Sequence, residues 1–468
     1  MKQRQARTLT PSLRWLALGL LAVGGLGGLL FVLAVIVNAR DERLSATART
    51  LLTAPANRYA PPENIYVALQ GFDAPPAESV IAVGEARIGQ YDRSEPDGSR
   101  STDAPRLGFR GDISFIHPLE SSVWTEAPEH EAQISALLAD NHELMERYLD
   151  LLLLRGYYET ARPQALAPAA AAPSEVRRLF LAQLALQMRA AHPFERQLGL
   201  AELEGDIGLW RRVLTGEGTL RWKMLAIAFL QSDFLLLADL IADPAVQLAP
   251  GEEYAAALVP LFDAADFDLA PALAAEFRVQ AATLRAAEAE SPRVGQAWLG
   301  RVAGRLTDHF LKADATVNLL AQETVAWMAA AGDPAEFNRL TRSPTPPAAG
   351  GGMSLLPLSY NPLGRALAAE LTEPYRLYPP RAWDQAALQR LVRAGYEIRQ
   401  QHVTPAAVAA FLAAHPRWAT HPASGSAFIW DRASGELHVQ TVAQHPATWR
   451  FGIRIWQAPA LAPRPAAR

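Results

Sequence analysis

Histidines and acidic pairs are the residues of this sequence whose types could support chemistry. His415 and His421 lie six positions apart on either side of Trp418, and His438 and His445 follow. Imidazole nitrogen is a common zinc ligand, so convergence of these four side chains would form a metal site. Isolated surface histidines explain the same pattern, and we predict no metal and no cofactor.

The acidic pairs Asp140/Glu143 and Glu202/Glu204 are compatible with a glycosidase dyad or with solvated helix faces, and the second interpretation is the simpler one. The sequence also has no glycine-rich phosphate loop, paired-histidine zinc helix, nucleophile elbow or Ser-x-x-Lys motif. It therefore predicts no catalytic residue, and an enzymatic function is the less favoured hypothesis.

Lys223 is the most unusual binding candidate, because the chain has only three lysines and this one lies on an apolar helix beside Trp222 and Met224. A buried lysine needs a carboxylate or backbone carbonyls as partners. Glu202, Asp206 and Asp233 are local candidates for a carboxylate partner. The alternative is a surface lysine whose stem covers apolar neighbours.

The other binding candidates are Trp210, Arg211, Asn361, Arg365 and Trp430. Asn361-Pro362-x-Gly364 predicts a turn in which the asparagine caps and the glycine supplies a permissive φ. The terminal stretch is dense in tryptophan at positions 418, 430, 449 and 456. These rings could form a platform for a sugar or peptide, or pack a small β layer, and packing is the favoured interpretation.

A membrane anchor is predicted from Trp15 to Val37, a run of 23 residues without charge. About 20 such residues in a helix cross the hydrocarbon layer. Four of the 44 basic residues precede the run and no acidic residue does, so the positive-inside rule places the N-terminus in the cytoplasm. The 40 basic and 48 acidic residues beyond the run give the outer portion a net charge of −8.

A cleaved signal peptide is the alternative, since Val37-Asn38-Ala39 has the small residues that signal peptidase prefers. The apolar run exceeds the roughly 7–15 residues of a signal h-region, and Arg40 follows it directly, so retention is favoured. Gly24 and Gly28 form a Gly-x-x-x-Gly pair that is a candidate dimer contact in the membrane. Glycine is also common in membrane helices generally.

The composition excludes several kinds of chemical site and argues against one class of partner. The 468 residues contain no cysteine, which excludes disulfides, thiolate metal sites and a cysteine nucleophile. A net charge of −4 without a basic stripe argues against nucleic-acid binding. The predicted partners are the membrane, an envelope protein or a second copy of the chain.

The elements that would position these residues are mainly helical. Short apolar runs at 65–72, 79–88 and 107–116 predict strands, while helical periodicity begins near Glu131. Further helices are predicted at 197–214, 218–241, 252–263, 271–289, 293–312, 315–332 and 384–400. Ser174 is a predicted N-cap, and Gly435 predicts a hairpin between terminal strands.

The predicted fold class is mainly α, with a transmembrane helix, a small α+β segment, a multi-helix domain and a C-terminal β piece. The predicted domains are a cytoplasmic stub (1–14), an anchor (15–37), a membrane-proximal α+β segment (41–130), a helical domain (131–342), a linker (343–357), a helix with a β hairpin (358–457) and a disordered tail (458–468).

Several blocks, taken in order, resemble membrane-anchored proteins of Gram-negative proteobacteria that are predicted to be periplasmic. The blocks are 64–66, 71–75 with Gly84, 209–214, Lys223-Met224, 315–318, 360–365 and 421–431. That family has no assigned activity, so the resemblance implies an architecture and no catalytic residues. The favoured hypothesis is an inner-membrane binding or scaffold module. A periplasmic hydrolase or glycan-binding enzyme, with a site between the helical and C-terminal parts, is the alternative.

Overall fold

The computed structural model describes residues 11–93, 106–161, 171–190, 192–244, 264–289, 309–342 and 360–456. These residues form a mainly helical protein with one small antiparallel sheet, which confirms the broad fold class. The chain divides into two compact units. Unit 1 comprises 1–52, 281–323 and 344–373, and unit 2 comprises 53–280, 324–343 and 374–468.

The helices, in chain order, are α1 (Pro11–Val37), α2 (Ala46–Leu52), α3 (Ile65–Gln70), α4 (Val80–Arg93), α5 (Val123–Glu129), α6 (Glu131–Asp140), α7 (His142–Leu152), α8 (Ala171–Arg189), α9 (Pro193–Thr215), α10 (Leu220–Ala242), α11 (Ala270–Ala289), α12 (Ala313–Gly332), α13 (Pro334–Arg342), α14 (Pro362–Thr372), α15 (Tyr378–Gln400) and α16 (Val408–Ala414). The strands are β1 (Ile429–Asp431), β2 (Glu436–His438) and β3 (Gly452–Arg454).

Helix α10 is the centre of unit 2. It is mainly apolar, is buried over most of its surface and packs against α9, α15 and β3, as expected of a core helix. Its length and hydropathy would suffice for a membrane span, but 78% of its apolar window is buried inside the protein. It is therefore a core helix.

The strands predicted near the start of unit 2 are wrong. Residues 65–70 form α3 and 80–93 form α4. The Asn64 side chain starts α3 by accepting from Tyr66 N at 3.0 Å. Helix α3 is buried on every face, so its β-branched and aromatic residues resemble a buried strand in sequence.

Glycine permits the close packing of α3 on α4. A Cβ at Gly71 would lie 1.8 Å from Val80 O, and one at Gly84 would lie 2.1 Å from Val67 O. The third predicted strand, 107–116, is irregular chain held by Asn141, whose side chain bonds both the N–H and the carbonyl of Arg110. The predicted α+β segment is thus helical and irregular.

Two further predictions near the helices are corrected. The helical pattern that begins at Glu131 is divided into α6 and α7 at Asn141. Ser174 is not an N-cap, because α8 begins three residues earlier at Ala171. The predicted linker at 343–357, the tail at 458–468 and the helices at 252–263 and 293–308 lie outside the described residues.

The C-terminal elements match the prediction more closely. Helix α15 is followed by α16 and by the sheet order β1-β2-β3, in which Trp430 pairs with Leu437 and Leu437 with Ile453. Gly435 has φ +70° in the turn that joins β1 to β2. The two compact units are interleaved along the chain, which differs from the contiguous domains that the sequence predicted.

Candidate functional site

Helix α1 of unit 1 exposes large apolar side chains at several of the positions whose side chains the structure describes. Trp15 is 75% exposed, Leu21 72% and Val23 70%. The segment from 23 to 37 is uniformly apolar. A Cβ added at Gly24 or Gly28 would meet no atom of the described residues within 4 Å.

The last turn of α1 is docked onto unit 1. Asn38 is fully buried, and its side chain donates to Ala34 O at 2.8 Å and accepts from Asn361 N at 2.7 Å. The ring of His309 lies against the same turn, with Nε2 2.8 Å from Val35 O. The end of α1 is therefore tied to two distant segments of the chain.

Asn361 joins those segments. Its Oδ1 accepts from Lys312 N at 2.9 Å, and its Nδ2 donates to Thr316 Oγ1 at 3.1 Å. The sequence predicted the turn correctly but assigned its roles wrongly. Asn361 itself has the left-handed φ of 48°, and its side chain does not cap α14. Gly364 is needed for close approach, since a Cβ there would lie 2.1 Å from Thr316 Oγ1.

The chain that leaves α1 caps the start of α12. The Asp41 carboxylate accepts from Asp314 N at 2.9 Å and from Ala315 N at 3.1 Å, which is the favourable arrangement for an anion at a helix N-terminus. Asn318 accepts from Ser45 N at 2.7 Å and donates to Arg43 O at 3.0 Å. We call residues 38–45, 309–318 and 360–365 the collar.

Arg365, another predicted binding residue, belongs to the collar. Its Nε donates to Tyr360 O at 3.3 Å, and its side chain is partly buried. The structure thus brings Asn361 and Arg365 together with the 315–318 block, which the resemblance also included. Among the described residues, their contacts hold chain segments together.

In unit 2, Trp210 is a buried core residue. Its Nε1 donates to Asp206 Oδ1 at 3.0 Å, and the Tyr148 hydroxyl donates to the same oxygen at 2.6 Å. Arg177 lies between Asp206 and Asp233, with its guanidinium 3.0 Å from Asp206 Oδ2 and in contact with Asp233. We call Arg177, Asp206 and Asp233, with Tyr148 and Trp210, the ionic cluster.

The charge balance of the ionic cluster requires a shared proton. One guanidinium faces two carboxyl groups that are fully buried. Burial, together with the neighbouring Asp206, raises the pKa of Asp233 well above its ordinary range despite the Arg177 charge. Asp233 is accordingly the protonated member of the pair. No sequence feature distinguishes Arg177 from the many other arginines on amphipathic helices.

Lys223 is 2% exposed, so the alternative of a surface lysine is wrong. Its ammonium donates to Val213 O at 2.7 Å and to Gly216 O, which closes the C-terminus of α9. Carbonyls are its partners, and two of the three predicted carboxylates belong to the ionic cluster instead. Burial lowers the pKa of Lys223 to about 7.

Arg211, next to Trp210, points away from the ionic cluster. Its guanidinium binds Asp266 through two bonds of 3.1 and 2.7 Å. This pair ties α9 to the 3-10 turn at Ala264–Phe267. Trp430 donates to Pro405 O at 3.1 Å and packs edge to face on Trp456, with ring centroids 5.5 Å apart.

Asp384 is the polar centre of the contact between α15 and the C-terminal β piece. Its carboxylate accepts from His421 Nε2 at 2.9 Å, His445 Nε2 at 2.7 Å, Val442 N at 2.8 Å and Ala443 N at 2.9 Å. Burial by itself would raise the pKa of Asp384, but the hydrogen bonds from His421 and His445 lower it below its ordinary value. We call this group the Asp384 latch.

The four histidines of the terminal segment do not converge. His421 and His445 bind opposite oxygens of Asp384, whereas His415 stacks on Trp418 and His438 lies on β2. Among the described residues, no group of three or more histidine, aspartate or glutamate side chains is arranged to hold a metal ion. Nothing in the sequence singled out Asp384 among its 48 acidic residues.

Comparisons with known protein families, with curated proteins and with solved structures find no match to the chain. The resemblance to membrane-anchored periplasmic proteins remains a hypothesis. Its blocks coincide with structural contacts: the 360–365 block in the collar, the 209–214 block in the ionic cluster and the 421–431 block in the Asp384 latch.

Proposed function

We propose that this chain is a single-pass protein of the bacterial inner membrane whose helical bulk lies in the periplasm and serves as a binding or scaffold module of the cell envelope. The observation that carries the proposal is the apolar surface of α1, where Trp15, Leu21 and Val23 are each at least 70% exposed. Contiguous exposed apolar surface of this kind marks membrane or partner contact. Four basic residues before Trp15 and none that are acidic support a cytoplasmic N-terminus.

The nature of the polar groups supports a binding or scaffold role over catalysis. Within the ionic cluster and within the Asp384 latch, the charged groups pair with one another. The predicted binding residues make packing contacts and hydrogen bonds inside the protein. Unit 2 does expose apolar residues on its surface, including Phe194 at 64% and Leu198 at 40%, one turn apart on α9. A partner protein or a second copy of the chain would cover such a face.

The anchor is tested by fractionation of cells that express the full chain. We expect it to stay in the membrane pellet after alkaline carbonate extraction, and its intact mass to include residues 15–37. Alkaline phosphatase fused after residue 456 should be active, because this enzyme folds outside the cytoplasm. Release of the chain by carbonate would contradict a retained anchor. An intact mass equal to that of a chain starting after Ala39 would contradict it as well.

Partner binding is tested by a photo-crosslinking amino acid at Phe194, with Arg196 on the same exposed helix as the matched control. A defined adduct from Phe194 and none from Arg196 would support a specific contact, and mass spectrometry would identify the partner. Monomer alone at both positions would count against this face of α9.

A hydrolase or glycan-binding enzyme is the second candidate, and one observation favours it. His445 Nε2 is held by Asp384, while Nδ1 forms no hydrogen bond with the described residues, which is how a carboxylate orients a general base. We would expect release of soluble fragments from purified cell-wall glycan and its loss in His445→Ala. Equal inactivity of the two proteins would remove this candidate.

A further inference from the structure

The exposed fraction of the α1 side chains falls abruptly near the C-terminal end of the helix. Val32 and Leu33 are 52% and 48% exposed, Ala34 and Val35 are partly buried, and Asn38 is fully buried. Ile36, on the opposite side of the last turn, is 62% exposed. The change from free to docked helix therefore occurs between Leu33 and Ala34.

The length of the free part matches the hydrocarbon layer. Trp15 to Leu33 comprises 19 residues, which rise roughly 28 Å in an α-helix, close to the about 30 Å of a bilayer core. Trp15 at its start follows Arg14, a pairing typical of a membrane interface. The docked turn is not needed for the span.

The groups that hold the docked turn are unsuited to hydrocarbon. Asn38, His309 and Asn361 contact the turn with polar side chains or backbone N–H groups. Polar groups that lie in lipid cost several kcal/mol each. From Leu33 to Asn38 the helix rises roughly 7.5 Å, which matches a headgroup layer of about 5–8 Å on each side of the bilayer. The docked turn thus fits the depth of the lipid headgroups.

The charges of the collar suit phosphate. Arg40 and Arg43 are exposed, and within the described part of the chain neither side chain forms an ion pair. The neighbouring acids are engaged: Asp41 caps α12, and the Glu42 carboxylate accepts from Asn318 at 3.2 Å. Asp41 and Glu42 keep their negative charges, but their oxygens accept hydrogen bonds from the collar. The guanidiniums of Arg40 and Arg43 are therefore the ionised groups of this segment whose donors are available to a phosphate.

We propose that the hydrocarbon layer ends between Leu33 and Ala34, and that the collar rests on anionic phospholipid headgroups through Arg40 and Arg43. This inference depends on the membrane anchor proposed above and adds the depth and the lipid chemistry of its contact. The collar fixes the direction in which α1 leaves unit 1, so the membrane determines the orientation of that unit.

The depth is tested with single cysteines, since the native chain has none. Val32→Cys, Ile36→Cys and Ala39→Cys are made in the full chain and treated in spheroplasts with a membrane-impermeant maleimide. We expect labelling at 36 and 39 and protection at 32, with equal labelling of all three after SDS. Protection at 36 to the same degree as at 32 would overturn the inferred boundary. Extraction of the chain by carbonate would instead overturn the anchor itself.

The lipid contact is tested with the purified chain in vesicles of phosphatidylcholine with or without phosphatidylglycerol. A fluorophore on Ala39→Cys should be quenched by headgroup spin labels at least twofold more strongly when phosphatidylglycerol is present. The double variant Arg40→Gln, Arg43→Gln should abolish that difference. In the same double variant, Ile36→Cys should still react with the maleimide. Equal quenching in the two kinds of vesicle would overturn the role of anionic headgroups.

Discussion

The collar of unit 1 and the ionic cluster of unit 2 both pair polar groups away from water, but with different side chains. The collar uses the buried amides of Asn38 and Asn361 to bind backbone groups, while the exposed Asp41 carboxylate caps α12. The ionic cluster and the Asp384 latch bury whole charges against one another. Removing one partner from a buried charge group leaves an uncompensated charge, whereas removing an amide leaves unpaired neutral groups. The two regions should therefore differ in their sensitivity to substitution.

The largest effect is expected at Arg177. Arg177→Met leaves Asp206 and Asp233 buried without their cation, which should destabilise unit 2 by about 3–5 kcal/mol. Denaturant unfolding of the detergent-solubilised chain, followed by tryptophan fluorescence, measures the loss. Arg178→Met, at the exposed neighbouring position, should change stability by less than about 0.5 kcal/mol. Similar losses in the free energy of unfolding for the two variants would show that the ionic cluster contributes no more to stability than an exposed arginine does.

Asp384→Asn tests the latch and should cost about 2–3 kcal/mol, because hydrogen bonds to a charged acceptor are lost. The pKa of Asp384 is lowered in the folded protein, so its contribution is present above the ordinary value of 3.8 and is lost as pH falls through the native pKa. The stability gap between the native chain and the variant should shrink below about pH 4. A gap that stays constant from pH 7 to pH 3 would contradict a charged latch.

Lys223 gives a pH dependence of the same sign in a higher pH range. Its pKa is about 7 in the folded protein, against 10.5 in the unfolded chain, so the unfolded chain binds more protons between these values. Stability from this residue should consequently rise with pH above 7, by about 2 kcal/mol between pH 7 and pH 9. Lys223→Met should lack the rise. Parallel stability curves for the two proteins over this range would show that the lysine stays charged.

Asn361 should give the smallest effect, about 1–2 kcal/mol, through lost amide bonds in the collar. Asn361→Gly retains the left-handed backbone and loses only the side chain, whereas Asn361→Ala loses both. Hydrogen exchange at the Lys312 amide should be faster in both variants and fastest in the alanine variant. Equal exchange in the two variants would show that the φ of 48° carries no cost.

The sequence predicted an element correctly where contacts between neighbouring residues determine it. It failed where contacts with distant segments do. Helix α15 and the Gly435 turn follow from periodicity and turn residues, and both are present. Residues 65–70 were misassigned because a short helix buried on every face shows no amphipathic period. Their helical state depends on Asn64 and on the glycine contacts with α4.

The candidate site was predicted in part. The sequence singled out Lys223 as a buried lysine with carboxylate or carbonyl partners, and its partners are the carbonyls of α9. It did not identify Arg177 or Asp384, because an arginine on a helix and one carboxylate among many have no distinguishing neighbours until the chain folds. Asn361 was chosen correctly, but its role in joining three segments requires pairs of residues 49 and 323 positions apart.

The sequence by itself determined the mainly helical class, the uncharged run from 15 to 37, the absence of cysteine and the acidic balance of the rest. These properties depend on composition and on neighbours within a few turns of helix. Only the tertiary structure decided which charges are neutralised internally, which lysine is buried and where α1 stops being free. Those outcomes depend on groups far apart in sequence, since the free energy of burying a charge or an amide is set by the partner that arrives from another part of the chain.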